Sequence, residues 1–246
     1  MDRWMVMTIK DEQVIFYANE YRFVTREILA DLTGRNPKSL NESLQRLVRE
    51  KRLYRKVRSR FDPIVYATYA EAQKRDYIEH DLGISYVHLA LHKTGRLIEG
   101  SWHQPREKFN GEINEDDHFD FAIYRNGTPE PYLMYHEHDT GSEGWQQIGE
   151  KMARYVEKRN ANGRPFRVMF TIQCYDEQGK PSERATAKRL QGIKAKAESF
   201  IAKEDRSKSK FFLLTSLSSI RANTLGNIFY FAHSDYTCPI APDLVK

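Results

Sequence analysis

Apolar residues along Asp11 to Glu20 recur with helix-compatible spacing, and Thr25 then offers an N-cap to a short helix holding Ile28, Leu29 and Leu32 and closed by Gly34. After a tight turn, Asn36 is placed to cap the next helix with Pro37 at its first position. Leu40, Leu44 and Leu47 recur there at i, i+4 and i+7 as one buried stripe. The opposite face presents Lys38, Ser39, Asn41, Gln45, Arg46 and Arg49. Leu53 to Val57 and Ile64 to Tyr69 read as two short strands, joined by the loop Arg58-Ser59-Arg60-Phe61-Asp62-Pro63. Helix, turn, amphipathic helix and hairpin, in that order, predict a winged helix-turn-helix over residues 1–76.

From Arg75 to about Ile98 the pattern is helical, and a domain boundary is expected near residue 77. His118 to Tyr124 alternates, with Phe119, Phe121 and Ile123 on one face and Asp120 on the other. Tyr132 to Asp139 is the next strand, with Glu137 and Asp139 on one face and His136 and His138 on the opposite one. Gly127 and two prolines make 126–131 the connection; with all six residues in the loop, Arg125 pairs with Tyr132 and Asp120 falls opposite Glu137. A helix over Gly144 to Asn160 carries Trp145, Ile148, Met152 and Tyr155 at core spacing. The strand Phe166 to Gln173, a long helix at about Glu183 to Lys203 and the strand Phe211 to Leu214 complete the pattern. Residues 77–246 therefore read as an α/β domain with a central sheet, and the whole chain as α/β, α+β overall.

Composition fits two folded domains. The 246 residues are 40% hydrophobic and 30% charged, which excludes a disordered or collagen-like chain. No apolar run approaches the ~20 residues that span a bilayer, so no membrane insertion and a cytoplasmic location are expected. Cys174 and Cys238 stand far apart without neighbouring ligand residues, which argues against a disulfide framework or a zinc site. Charge adds more. Residues 1–76 carry 16 Lys+Arg against 11 Asp+Glu, and the remainder 23 against 23, so the formal +5 lies in the first third. Residues 35–60 hold ten basic side chains against Glu42 and Glu50, a density suited to polyanion binding through counterion release. This turns the exposed face of the second capped helix into a candidate recognition surface for double-stranded DNA, with Arg58 and Arg60 along its backbone. A solvated helix face is the competing reading. Residues 180–210, with ten basic and four acidic side chains, form a second cationic stretch.

In the expected register Asp120, Glu137 and Asp139 gather on one face. Three carboxylates repel unless a cation neutralises them, and such oxygen ligands suit Mg²⁺ or Mn²⁺, which would polarise a phosphodiester. The bland alternative is a solvated acidic strand face. Lys151 and Tyr155 stand one helical turn apart, so Lys151 can reach over the carboxylates while Tyr155 packs; a solvated helix lysine is the competing reading.

On His80-Asp81-Leu82, Asp120, His136-Glu137-His138-Asp139 with Gly141 and Glu143, and Lys151 with Tyr155, the chain resembles the replication-relaxation family. Within that family it is similar to the MobC-type plasmid relaxases, whose catalytic domain is like restriction endonucleases of the PD-(D/E)xK fold. The resemblance implies a restriction-endonuclease-like domain with a central mixed sheet over 77–246. It implies Asp120, Glu137 and Asp139 as metal ligands and, with Lys151, as the catalytic groups. It further implies site- and strand-specific nicking at a plasmid transfer origin, with other relaxosome proteins and a coupling protein as partners. In that nuclease fold a lysine lies two residues past the second acid. Here that position is Asp139, which leaves Lys151 as the substitute cation. Two other readings compete. One is a non-enzymatic winged-helix relaxosome accessory or replication regulator, distinguished by carboxylates that splay rather than converge. The other is a histidine-hydrophobic-histidine relaxase with Tyr135 or Tyr155 as nucleophile, whose signature is missing because His136 and His138 flank Glu137.

Overall fold

The computed structural model describes residues 9–21, 23–57, 64–68, 78–103, 108–109, 112–113, 117–161, 165–203 and 210–240. They form a mixed α/β structure with seven helices and a four-stranded mixed sheet among the described residues. The chain divides into two compact units, Met1–Leu89 and Ala90–Lys246.

The first unit contains α1 (Ile9–Glu20), β1 (Val24–Thr25), α2 (Arg26–Thr33), α3 (Pro37–Arg49), β2 (Tyr54–Lys56), β3 (Val65–Ala67) and the first part of α4 (Ile78–His92). Local chemistry sets these bounds. The Thr25 hydroxyl accepts from Ile28 N, and Gly34 ends α2 in the left-handed conformation at φ 62°. The Asn36 side chain accepts from Lys38 N, and Pro37 opens α3 where a missing N–H costs nothing. Ile28 and Leu29 of α2, Leu40, Leu44 and Leu47 of α3, and Val14 and Ala18 of α1 are all buried. The strands pair antiparallel in the order β1-β3-β2. The first part of α4 belongs here because the Ser85 hydroxyl bonds the carbonyls of Tyr21 and Phe23, and His88 stacks on Tyr21 with ring centroids 4.4 Å apart. The division thus falls at 89/90, inside α4, whereas the pattern of residue types alone placed it near 77.

The second unit contains a short hairpin, β4 (Lys108–Phe109) with β5 (Glu112–Ile113), and the main sheet. That sheet is built from β6 (Asp117–Arg125), β7 (Thr128–Asp139), β8 (Phe166–Ile172) and β9 (Phe212–Ser216), in the order β6-β7-β8-β9. β6 and β7 are antiparallel; β7, β8 and β9 are parallel, connected through α5 (Trp145–Ala161) and α6 (Glu183–Phe200), and α7 (Leu217–Asn223) follows. One sheet face carries Tyr135, Phe166, Val168, Phe170, Ile172, Phe212 and Leu214. It forms a core with Ile148, Met152 and Tyr155 of α5 and Leu190, Ile193 and Ala197 of α6. The outer edge of β6 is covered by residues 96–103, through bonds such as Ile98 N to Asp120 O and His103 N to His118 O. Among the described residues no helix is long and apolar enough to cross a membrane.

The β6–β7 register differs from the expected one. The connection is the two-residue turn Asn126-Gly127, both at positive φ (51° and 80°), not a six-residue loop. Arg125 therefore pairs with Thr128, and Asp120 with Leu133 rather than Glu137. Asn-Gly is the preferred sequence for such a tight hairpin turn. Pro129 and Pro131, which suggested a loop, lie in the part of β7 that precedes its pairing with β8, which begins at Leu133. One side of the strand is open there, and proline is tolerated.

Candidate functional site

In the first unit, α3 presents Lys38, Ser39, Gln45 and Arg49 to solvent, with Asn41 and Arg46 half-buried. Several of these side chains are already engaged. Arg46 is ion-paired with Asp11, whose side chain is only 2% exposed, so this arginine ties α3 to α1 while its own side chain stays 41% exposed. Asn41 accepts from Arg26, and Ser39 and Ser43 accept from Arg35, whose guanidinium also reaches the Lys10 carbonyl. The groups left to face a ligand are Lys38, Gln45 and Arg49. Arg58 and Arg60 lie outside the described residues.

In the second unit, Glu137 and Asp139 share a face near the end of β7, as their alternation requires. Asp120 lies on that same face but opposite Leu133, four residues before Glu137, or about 13 Å along the strand at the usual rise. The three carboxylates do not converge, and among the described residues no group of three His, Cys, Asp or Glu side chains is placed to hold a metal ion. Two of the three acids are neutralised by the chain itself. Arg189 of α6 grips Asp139 through Nε to Oδ2 at 2.7 Å and Nη2 to Oδ1 at 3.3 Å, and also donates to the Glu143 carbonyl at 2.7 Å. Lys151 Nζ stands 2.8 Å from Glu137 Oε2 and 2.6 Å from Glu143 Oε1, and the Tyr155 hydroxyl donates to Glu137 Oε1 at 2.8 Å. Burial works to lower the Lys151 pKa, but Glu137 and Glu143 outweigh it and hold the ammonium above its ordinary value. Of the carboxylates expected to hold Mg²⁺ or Mn²⁺, Glu137 is paired with Lys151, which also reaches Glu143, and Asp139 with Arg189, while Asp120 lies farther along the sheet. What the cluster offers is a partly exposed acid–ammonium pair backed by a buried tyrosine.

The opposite sheet face holds a polar group that residue patterns did not single out as a unit. His136 Nδ1 lies 2.8 Å from Asp117 Oδ2, His136 Nε2 lies 2.8 Å from Thr171 Oγ1, and His138 Nδ1 lies 2.9 Å from the same hydroxyl. Thr171 has one proton to donate, so at least one of the two histidines must present an N–H to it. Neutral rings satisfy the chain if His136 donates to Asp117, Thr171 donates to His136, and His138 donates to Thr171. Desolvation raises the Asp117 pKa even though His136 opposes the rise. The order carboxylate, imidazole, hydroxyl is that of an activated nucleophile, but Thr171 is wholly enclosed. The network instead locks β6, β7 and β8 together. Its signals in the sequence were Asp117 on the apolar face of an alternating strand and Thr171 inside the apolar run 166–172. Arg189, on the flank of a lysine- and arginine-rich helix, gave no signal of its own. Tyr135 and Tyr155 are buried core residues.

No family model matches the chain, and comparison with characterised proteins and with solved structures likewise finds no match.

Proposed function

We propose that this chain is a winged-helix protein that binds double-stranded DNA through α3, with its second unit serving as a restriction-endonuclease-like scaffold. The observation that carries this reading is the division of α3 itself. Leu40, Leu44 and Leu47 are fully buried, while Lys38, Gln45 and Arg49 face outward from a helix that follows α2 after a three-residue turn. A three-stranded antiparallel sheet that takes β2 and β3 from the chain after α3 is the arrangement a wing requires. Arginine, lysine and glutamine on such a helix supply phosphate and base-edge contacts. The resemblance to plasmid replication-relaxation proteins makes a plasmid transfer origin the duplex to try first, with the chain as an accessory or regulator there beside other relaxosome proteins and a coupling protein. Binding of a labelled origin duplex at several salt concentrations tests the reading. Arg49→Ala and Lys38→Ala are each expected to weaken binding and flatten its salt dependence; unchanged binding in both variants overturns the assignment of α3.

A second reading, strand cleavage by the α/β unit, is favoured by one observation: Lys151 lies against Glu137, which brings together an acid and a lysine of the kind found in that nuclease fold. Incubation with supercoiled origin plasmid, with and without Mg²⁺ or Mn²⁺, decides it. Nicking by the wild type that is lost in both Glu137→Gln and Lys151→Ala establishes cleavage; intact plasmid in every lane removes it.

A further inference from the structure

At the start of α5 Trp145 is 48% exposed, one of four exposed large apolar residues described in this unit, with Leu225, Tyr230 and Tyr236. Its position is fixed by two neighbours on α6. A methyl group at Gly192 would collide with the indole ring, so the glycine is what lets the ring lie against the helix. The Arg189 guanidinium sits over the ring, 4.3 Å from its centroid, and is itself immobilised by Asp139 and the Glu143 carbonyl. With one face on a guanidinium and an edge against α6, the face turned from Arg189 is the one on which a planar ligand can stack. The ring is thus presented rigidly and backed by a cation. Helical spacing then sets the surroundings: Lys188 and Arg189 lie one turn before Gly192 and Lys196 one turn after it, so cations flank the indole on both sides along α6. Lys188 is exposed, and Lys196 lies across Gly149 of α5, where a methyl group would come within 2.7 Å of Lys196 Cε.

A fixed, open aromatic face within a row of cations suits one ligand chemistry well. Unpaired nucleobases stack on such faces without regard to sequence, while lysine and arginine follow the phosphates. A base-paired duplex hides its base faces and cannot use the ring. We propose that Trp145, with Lys188, Arg189 and Lys196, forms a stacking platform for single-stranded nucleic acid on the second unit, separate from the duplex-binding surface of α3. The excess of basic over acidic side chains across residues 180–210 of the sequence, ten against four, suits a polyanionic occupant. The inference does not depend on cleavage, and it goes beyond the duplex-binding reading.

The test uses the full chain and two fluorescein-labelled probes of equal length, an oligothymidylate of about 15 nucleotides and its abasic counterpart, which carries the same phosphates without bases. The wild type is expected to bind the oligothymidylate about ten-fold more tightly than the abasic strand, as expected from one or two stacked bases. Trp145→Leu retains apolar volume over Gly192 but removes the aromatic face, and is expected to erase that difference; Trp145→Phe is expected to keep most of it. Circular-dichroism melting of each variant identifies any that fail to fold, and the Phe and Leu pair then carries the comparison. Equal affinity of the wild type for both probes, or an unchanged preference in a folded Trp145→Leu, overturns the proposal, the latter outcome placing the base contacts elsewhere on the chain. Binding of the origin duplex is measured on the same variants. Loss of the single-strand preference with duplex affinity intact separates this platform from α3, and absence of duplex binding in the wild type would sink the earlier reading while leaving this one standing.

Discussion

Arg46 and Arg49 are both basic residues in the last turn of α3, yet they do different work. The Arg46 guanidinium pairs with a carboxylate of α1 that is nearly inaccessible to water, so its removal takes a cationic partner from the buried Asp11. Arg46→Ala is expected to cost about 1–3 kcal/mol in urea denaturation, and Asp11→Asn in the same chain to recover part of that loss. Arg49→Ala is expected to leave stability within experimental scatter and to act on DNA binding alone. Equal stability of the two single variants would show that the Asp11 pair contributes nothing. Lys151 carries a pH signature. Because Glu137 and Glu143 raise its pKa against the effect of burial, its contribution to stability is fully present below the ordinary lysine value and is lost as pH rises through the folded value. The stability difference between wild type and Glu137→Gln is therefore expected to be level from neutral to mildly alkaline pH and to shrink beyond that. A difference that stays constant across the alkaline range would mean that the two groups are not coupled.

The elements show why some of this was legible in the sequence and some was not. Helix α3 could be drawn from residues alone because its cap, its N1 proline and its leucine stripe all point the same way. The alternation in β6 and β7 placed Glu137 and Asp139 on one face and the two histidines on the other. Register was the weak point, since a strand's faces depend on parity but its partners depend on the turn. Pro129 and Pro131 favour a longer loop and Asn126-Gly127 a tight turn, and the tight turn sets Asp120 opposite Leu133, four residues from Glu137. Alternation is the same in both registers because that offset is even. The turn can be tested directly. Gly127 has φ 80°, so Gly127→Ala is expected to destabilise by about 1 kcal/mol, while Asn126→Gly, which removes a side chain from a positive-φ position, is expected to be neutral. Equal melting temperatures for Gly127→Ala and wild type would argue against the two-residue turn and reopen the longer loop. Strand α/β order was also visible, but the arginine that neutralises Asp139 comes from α6, 50 residues away in sequence, and no local pattern carries that pairing.

At the scale of the whole molecule, the electrostatic fact that matters most among the described residues is that Glu137, Asp139 and Glu143 are each met by a cation of the chain itself. Three converging carboxylates would have made folding or function depend on a divalent ion, since only such a charge relieves their repulsion. Here Asp139 is held by Arg189, Glu137 and Glu143 share Lys151, and Asp120 stands apart. Metal removal should accordingly matter little to stability or to duplex recognition. Dialysis against a chelator is expected to leave the melting temperature unchanged, and added Mg²⁺ or Mn²⁺ to produce no saturable rise in it. Duplex affinity should instead respond to monovalent salt, with the slope of log affinity against log salt falling by about 0.9 for each phosphate contact removed. Lys38→Ala and Arg49→Ala are each expected to lower that slope by about one such contact, whereas Glu137→Gln should not change it. A saturable rise in melting temperature on adding the divalent ion, abolished by Glu137→Gln, would mean that Lys151 yields its place to a metal and would return the second unit to the class of metal-dependent nucleases.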